Sequence, residues 1–159
     1  MGLLNYTTKI DPDKTAQEIA RILSMHGASA VMTEYDPVDN FVTALSFKIK
    51  LNDQQMSFRL PTDWRPVYEI LIKGKKKPSA WNAGNRSLAH WESEWKLQAV
   101  RTSWRIVKDW TEAQMALVET QMVTTAQVFL PYAVMRDGRT LGETVAQDPK
   151  FLLGGGDEH

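Results

Sequence analysis

The sequence predicts an α+β fold, a three-stranded antiparallel meander covered by helices that include one long C-terminal helix. Three patterns carry this. From residue 41 to residue 60 apolar and polar residues alternate, broken once at Asn52-Asp53, and a period of two marks a half-buried strand. Residues 14–26 and 88–122 instead repeat at helical spacing. Residues 87–122 contain neither Gly nor Pro, so one long helix, or two with a bend, is expected there.

In chain order, Asp13 is the expected N-cap of the first helix, its carboxylate accepting from the orphan amides of the first turn. Ala16, Ile19, Ile22 and Leu23 form the apolar stripe, and Gly27 closes the helix. Residues 30–35 read as a short strand and residues 36–40 (DPVDN) as a turn. The second strand is expected to turn Phe41, Thr43, Leu45, Phe47, Ile49 and Leu51 inward. Val42, Ala44, Ser46, Lys48 and Lys50 should face water. Asn52-Asp53 is the hairpin turn, Met56, Phe58 and Leu60 continue the inner face, and Pro61 ends the third strand. A short helix over 64–73, capped by Thr62 or Asp63, stops at Gly74. Residues 74–87 (GKKKPSAWNAGNRS) form a loop. Ser87 is the expected cap of the long helix. Its apolar face holds Ile106, Val107, Trp110, Ala113, Leu117 and Val118, widened by Trp104 and Met115, with Arg105, Lys108, Asp109 and Glu112 opposite. Thr124 or Thr125 opens a further turn through Leu130, Asp137-Gly138 turns the chain, and residues 140–147 end a single domain over 1–147. Residues 148–159 are expected to be a flexible tail.

Composition narrows the function classes. The chain has 159 residues, nineteen Lys+Arg against nineteen Asp+Glu, and 43% hydrophobic residues. That suits one globular domain and is too apolar for a disordered chain. No apolar run approaches the ~18 residues of a membrane span, and the opening residues lack a secretory pattern, so a cytoplasmic location is expected. With no cysteine, disulfides, thiolate metal sites and Cys nucleophiles are excluded. No cofactor is expected. Gly154-Gly155-Gly156 precedes no Lys-Ser/Thr, and no Gly-x-Ser-x-Gly elbow exists. His90-x-Glu92 resembles the opening of the zinc deaminase signature, but the required cysteine pair is absent. His26 sits where a cation complements a helix C-terminus. Glu34, Asp36 and Asp39 could gather oxygens for a hard cation, but their spacing matches no established loop, and turn formation is their expected role. No metal site is expected.

Charge is segregated. Residues 65–108 hold ten Lys+Arg against three acids, a net of +7, and the remainder holds nine against sixteen, a net of −7. Trp81, Trp91, Trp95 and Trp104 lie in the same basic window. Cationic side chains bind phosphates and aromatic faces stack unpaired bases. The candidate binding residues are therefore Lys75, Lys76, Lys77, Trp81, Arg86, Arg101 and Arg105. The competing expectation is that Trp91, Trp95 and Trp104 belong to the core and the lysines to a solvated loop.

The segments NYTTKI (5–10), MTEYD (32–36), ALSF (44–47), FRLP (58–61), WRIVKDWTEAQMALVE (104–119), FLPY (129–132) and GRTL (138–141) give the chain a further character. Across most of residues 5–141 it resembles a family of small uncharacterised proteins encoded by phages and prophages. The resemblance implies a phage-linked setting in a bacterial cytoplasm and no particular chemistry. Together these features lead to a non-enzymatic phage-linked binding protein. Its basic, aromatic surface would take single-stranded nucleic acid or an acidic host protein, and the long helix could serve a homodimer. The alternative is a module that sequesters a small molecule or nucleotide and so counters host defence.

Overall fold

The computed structural model describes residues 2–79 and 86–152. Its elements are α1 (Pro12–Met25), β1 (Ala28–Tyr35), β2 (Val42–Leu51), β3 (Gln54–Arg59), α2 (Arg65–Ile72), α3 (Arg86–Glu119), α4 (Thr125–Phe129) and α5 (Leu141–Gln147), with 3-10 turns at Leu130–Tyr132 and Pro149–Phe151. The strands pair antiparallel in the order β1-β2-β3. This is the expected α+β meander with helices on its apolar face. Of the expected tail, residues 153–159 lie outside the described residues.

Helix α1 starts earlier than the pattern suggested. Asp11, not Asp13, is the N-cap, accepting from the Asp13 amide at 2.8 Å. Pro12 then occupies the first helical position, where its missing N–H costs nothing. The hairpin between β2 and β3 turns on Asn52 and Asp53, both at positive φ, 48° and 64°. A two-residue turn of this hand matches the twist of the strands.

The alternation expected along β2 fails at its start. Thr33 pairs with Leu45 and Glu34 with Ala44, but Tyr35 then pairs with Val42, leaving Thr43 unopposed. The extra residue is a bulge, and it inverts the inside–outside sense beyond it. Val42 is consequently fully buried, while Phe41 and Thr43 are only partly covered. From Leu45 onward the expected face holds, with Leu45, Phe47, Ile49 and Phe58 buried and Met56 packed at the margin. Phe47 stacks on Phe58 at 5.4 Å between ring centroids, and Phe129 meets Phe47 edge-on at 5.0 Å. Phe129 is placed by α4, which Thr124 and Gln127 close with a reciprocal capping box. The chain then bridges Ala133 to Phe58 and extends the free edge of β3. Gly142 lets α5 sit against this segment, since a Cβ there would lie 2.9 Å from the Pro131 carbonyl oxygen.

Helix α3 runs through the middle of the molecule. None of its residues 98–111 is exposed. It packs on α1, on α2 and under the sheet, where the Trp104 indole donates to Val42 O at 3.2 Å. A helix covered on several sides has no single apolar face. That corrects the expected stripe: Thr111 is buried and Ala113 is exposed. The buried hydroxyls are satisfied, Thr111 by Val107 O, Ser103 by Val100 O and Thr102 by Asn5 O. The last of these ties the N-terminal segment to the helix. Among the described residues no helix is long and apolar enough to cross a membrane.

Phe47→Ala should destabilise the protein by about 3–5 kcal/mol in urea unfolding, as for large-to-small changes in a closed core. The bulge is tested by a pair. Val42→Thr should cost about 1–3 kcal/mol by burying a hydroxyl, and Thr43→Val should cost clearly less. The reverse ranking would mean that the alternation is unbroken.

Candidate functional site

The basic window divides in two once its partners are known. Four of its ten cations are engaged structurally. Arg65 pairs with Asp63 at 3.4 Å, and Lys108 pairs with Glu112 at 2.6 Å. Lys96 reaches Asp39 and lies over the rings of Phe41 and Trp64. Arg105 donates to Glu18 Oε2 at 2.6 Å and to Thr15 Oγ1 at 3.4 Å. That last pair closes the α1–α3 interface, and the Arg105 side chain is only 14% exposed. Arg105 therefore serves packing, apart from the other candidate residues.

The remaining described cations are Lys73, Lys75, Lys76, Lys77 and Arg101. Among the described residues none of them has an acidic partner within 4 Å. Gly74, at φ 80°, turns the chain at the end of α2, and Lys75 N bonds back to Ile72 O at 2.9 Å. The turn brings Lys75 Nζ to 4.6 Å from the Trp95 ring centre and Lys77 Nζ to 6.0 Å from that of Trp91. An ammonium over an indole face is a favourable contact. Trp91 and Trp95 stand one helical turn apart on α3, 6.4 Å between ring centres, and both are half-buried. Each ring is thus partly packed, and each has a loop lysine near its face. Lys76 is exposed. Trp81 lies outside the described residues. Arg86 is the first residue of α3, and its side chain lies outside them too.

Beside this loop a cleft of about 850 Å³ opens between the N-terminal segment, α2 and α3. Tyr6 and Lys9 line it from the first, Ile70 from the second, Trp95 and Arg101 from the third, and Lys75 from the loop. The N-terminal wall is held by Gln98, whose amide nitrogen donates to Tyr6 O at 3.0 Å and Thr8 O at 2.8 Å. The same side chain accepts from Arg101 Nη1 at 3.5 Å. Arg101 Nε is buried and has no hydrogen-bond partner among the described residues. Tyr6 and Lys9 were not legible as site residues, because residues 2–10 carry no period. The readable trace was the polar pair Gln98 and Thr102 inside a helix that is otherwise covered.

The acidic and histidine candidates do local work. The Asp36 carboxylate accepts from the Val38 and Asp39 amides, both at 2.8 Å. Those bonds, Asp39's foremost, hold its carboxyl below the usual range. His26 caps α1, with Nδ1 2.8 Å from Ile22 O and Nε2 3.3 Å from Glu119 Oε1. His90 pairs with Glu94 at 3.4 Å, one turn on, rather than with Glu92. Among the described residues no three His, Asp or Glu side chains gather as a metal site. Burial first, and then the charges of Glu92 and Glu69, push the Tyr68 hydroxyl above its ordinary pKa.

No protein-family model, no curated protein and no solved structure matches this chain.

Arg105→Ala leaves Glu18 without its partner, so it should lower unfolding stability by about 1–3 kcal/mol. In an oligonucleotide-binding assay the variant and the parent should give the same result. A selective difference at unchanged stability would return Arg105 to the candidate residues.

Proposed function

We propose that this chain is a non-enzymatic, phage-linked binding protein of the bacterial cytoplasm that holds single-stranded nucleic acid on the face built by Lys75, Lys76, Lys77 and Arg101. The phage setting rests on the sequence resemblance alone. The observation that carries the binding reading is the division of charge. Arg65, Lys96, Arg105 and Lys108 have acidic partners, whereas these four have none among the described residues. Two of them, Lys75 and Lys77, lie against tryptophans. Unpaired cations beside aromatic rings supply both halves of single-strand recognition, phosphate contact and base stacking. Trp81 and Arg86 belong to this reading on sequence grounds. The protein-partner form of the proposal puts an acidic host protein on the same face. A homodimer would meet α3 toward its ends, since residues 98–111 are all at least partly covered and the cleft takes up the accessible part of Arg101.

The cleft beside the loop favours a second reading, in which the protein sequesters a nucleotide or other small anion and so counters host defence. Salt separates the two, because release of many counterions makes strand binding fall steeply as salt rises.

In fluorescence anisotropy with a labelled single strand at several salt concentrations, changing Lys75, Lys76 and Lys77 together to Gln should weaken binding. It should also flatten the salt slope by roughly 0.7 for each phosphate that is no longer neutralised. Absence of binding by the parent protein at low salt would overturn the nucleic-acid reading.

A further inference from the structure

We infer that the cleft between the N-terminal segment, α2 and α3 is a site for a single nucleotide unit, a flat base carrying one phosphate, with Arg101 as its phosphate clamp. The inference deepens the proposed function and rests on its reading of the Lys75 face as a nucleotide-binding surface.

Arg101 is the starting point. A guanidinium presents five N–H donors in a rigid planar fork. Arg101 lines the cleft, and among the described residues its one hydrogen bond is long, 3.5 Å from Nη1 to Gln98 Oε1. With no carboxylate of the described residues holding the guanidinium, a phosphate can take the Nη1–Nη2 edge of the fork with two parallel bonds. The charge around it has the same sense. Lys9, Lys75 and Arg101 line the cleft against one acid, Glu94, which is itself 3.4 Å from His90 Nε2.

The walls have the matching chemistry for a base. Trp95 and Tyr6 bring aromatic rings to the cleft and Ile70 an apolar side chain. Rings of this kind stack any base through its π-face. A volume of about 850 Å³ falls within the ~300–1,000 Å³ of ordinary small-ligand sites. Gln98 links clamp and wall. Its oxygen accepts from Arg101 while its nitrogen holds the backbone at Tyr6 and Thr8. A phosphate on Arg101 therefore sits one side chain away from the segment that closes the cleft. Lys76 and Lys77 do not line it, and they would serve only a strand that runs on beyond the first nucleotide.

One ligand chemistry here has two sources, a free nucleotide or the phosphorylated 5′ end of a strand. Isothermal titration of the full chain distinguishes them, using the four 5′-ribonucleoside monophosphates, their nucleosides, and short homopolymer oligonucleotides with and without a 5′-phosphate. At least one monophosphate should bind roughly tenfold or more tightly than its nucleoside, the scale of a charge-assisted hydrogen bond. R101Q should abolish that preference, R101K should restore part of it by keeping the charge without the fork, and Lys50→Ala, at an exposed lysine that does not line the cleft, should leave it intact. A 5′-phosphate that also tightens oligonucleotide binding supports the strand end as the source, and no such gain supports the free nucleotide. The inference is overturned if no monophosphate outbinds its nucleoside, or if folded R101Q binds it as the parent does. Should R101Q fail to fold, the monophosphate-to-nucleoside ratio of the exposed-loop variant Lys75→Gln decides in its place, and an unchanged ratio overturns the inference. Salt-sensitive oligonucleotide binding that survives such a failure leaves the proposed function standing, whereas its absence as well removes both.

Discussion

Residues 98–111 of α3 contain no exposed member, and that enclosure governs how the other elements are placed. At its centre the Trp104 ring is buried against the sheet, and its N–H must find an acceptor there or cost about 1–3 kcal/mol. The acceptor is the Val42 carbonyl. Val42 is inside because the bulge at Thr43 reverses the face of β2 at that point. Bulge, indole and enclosed helix are thus one arrangement, in which an irregularity of the strand supplies both an apolar side chain and a carbonyl to the core.

The polar residues of the enclosed helix bind the rest of the chain to it. Arg105 reaches α1 through Glu18 and Thr15, while Gln98 and Thr102 hold the backbone of residues 5–8. Each is a buried or largely buried group satisfied by a distant segment, the pattern that fixes one tertiary arrangement among several apolar ones. The N-terminal segment has no regular structure of its own. Held in this way, it becomes one wall of the cleft, and the contacts that stabilise the fold also shape the candidate site.

Net charge by window is a coarse guide to such a site. The +7 of residues 65–108 is real, but a cation already paired with a carboxylate is poorly available to a phosphate. Arg65, Lys96, Arg105 and Lys108 are held by acids, two of them by acids far away in sequence. What remains is smaller and more local, the loop lysines against Trp91 and Trp95 with Arg101 beside them.

The meander, the hairpin at Asn52-Asp53, the inner face from Leu45 to Phe58 and the helical run through 88–119 were all legible in the sequence, and the start of α4 was narrowed to Thr124 or Thr125, of which Thr124 is the cap. These rest on interactions within a few residues or on a simple period, and a linear pattern records both. It misplaced the cap of α1 by two residues, because Asp11 and Asp13 offer equivalent carboxylates and only Pro12 decides between them. Tertiary structure alone decided the inversion at Val42, the burial of Thr111, the withdrawal of Arg105 into the α1–α3 interface and the cleft lined by Tyr6, Lys9 and Arg101. Each depends on which segment lies opposite, and a side chain carries the same chemistry in the sequence whether its partner is water, a carboxylate or an open cleft.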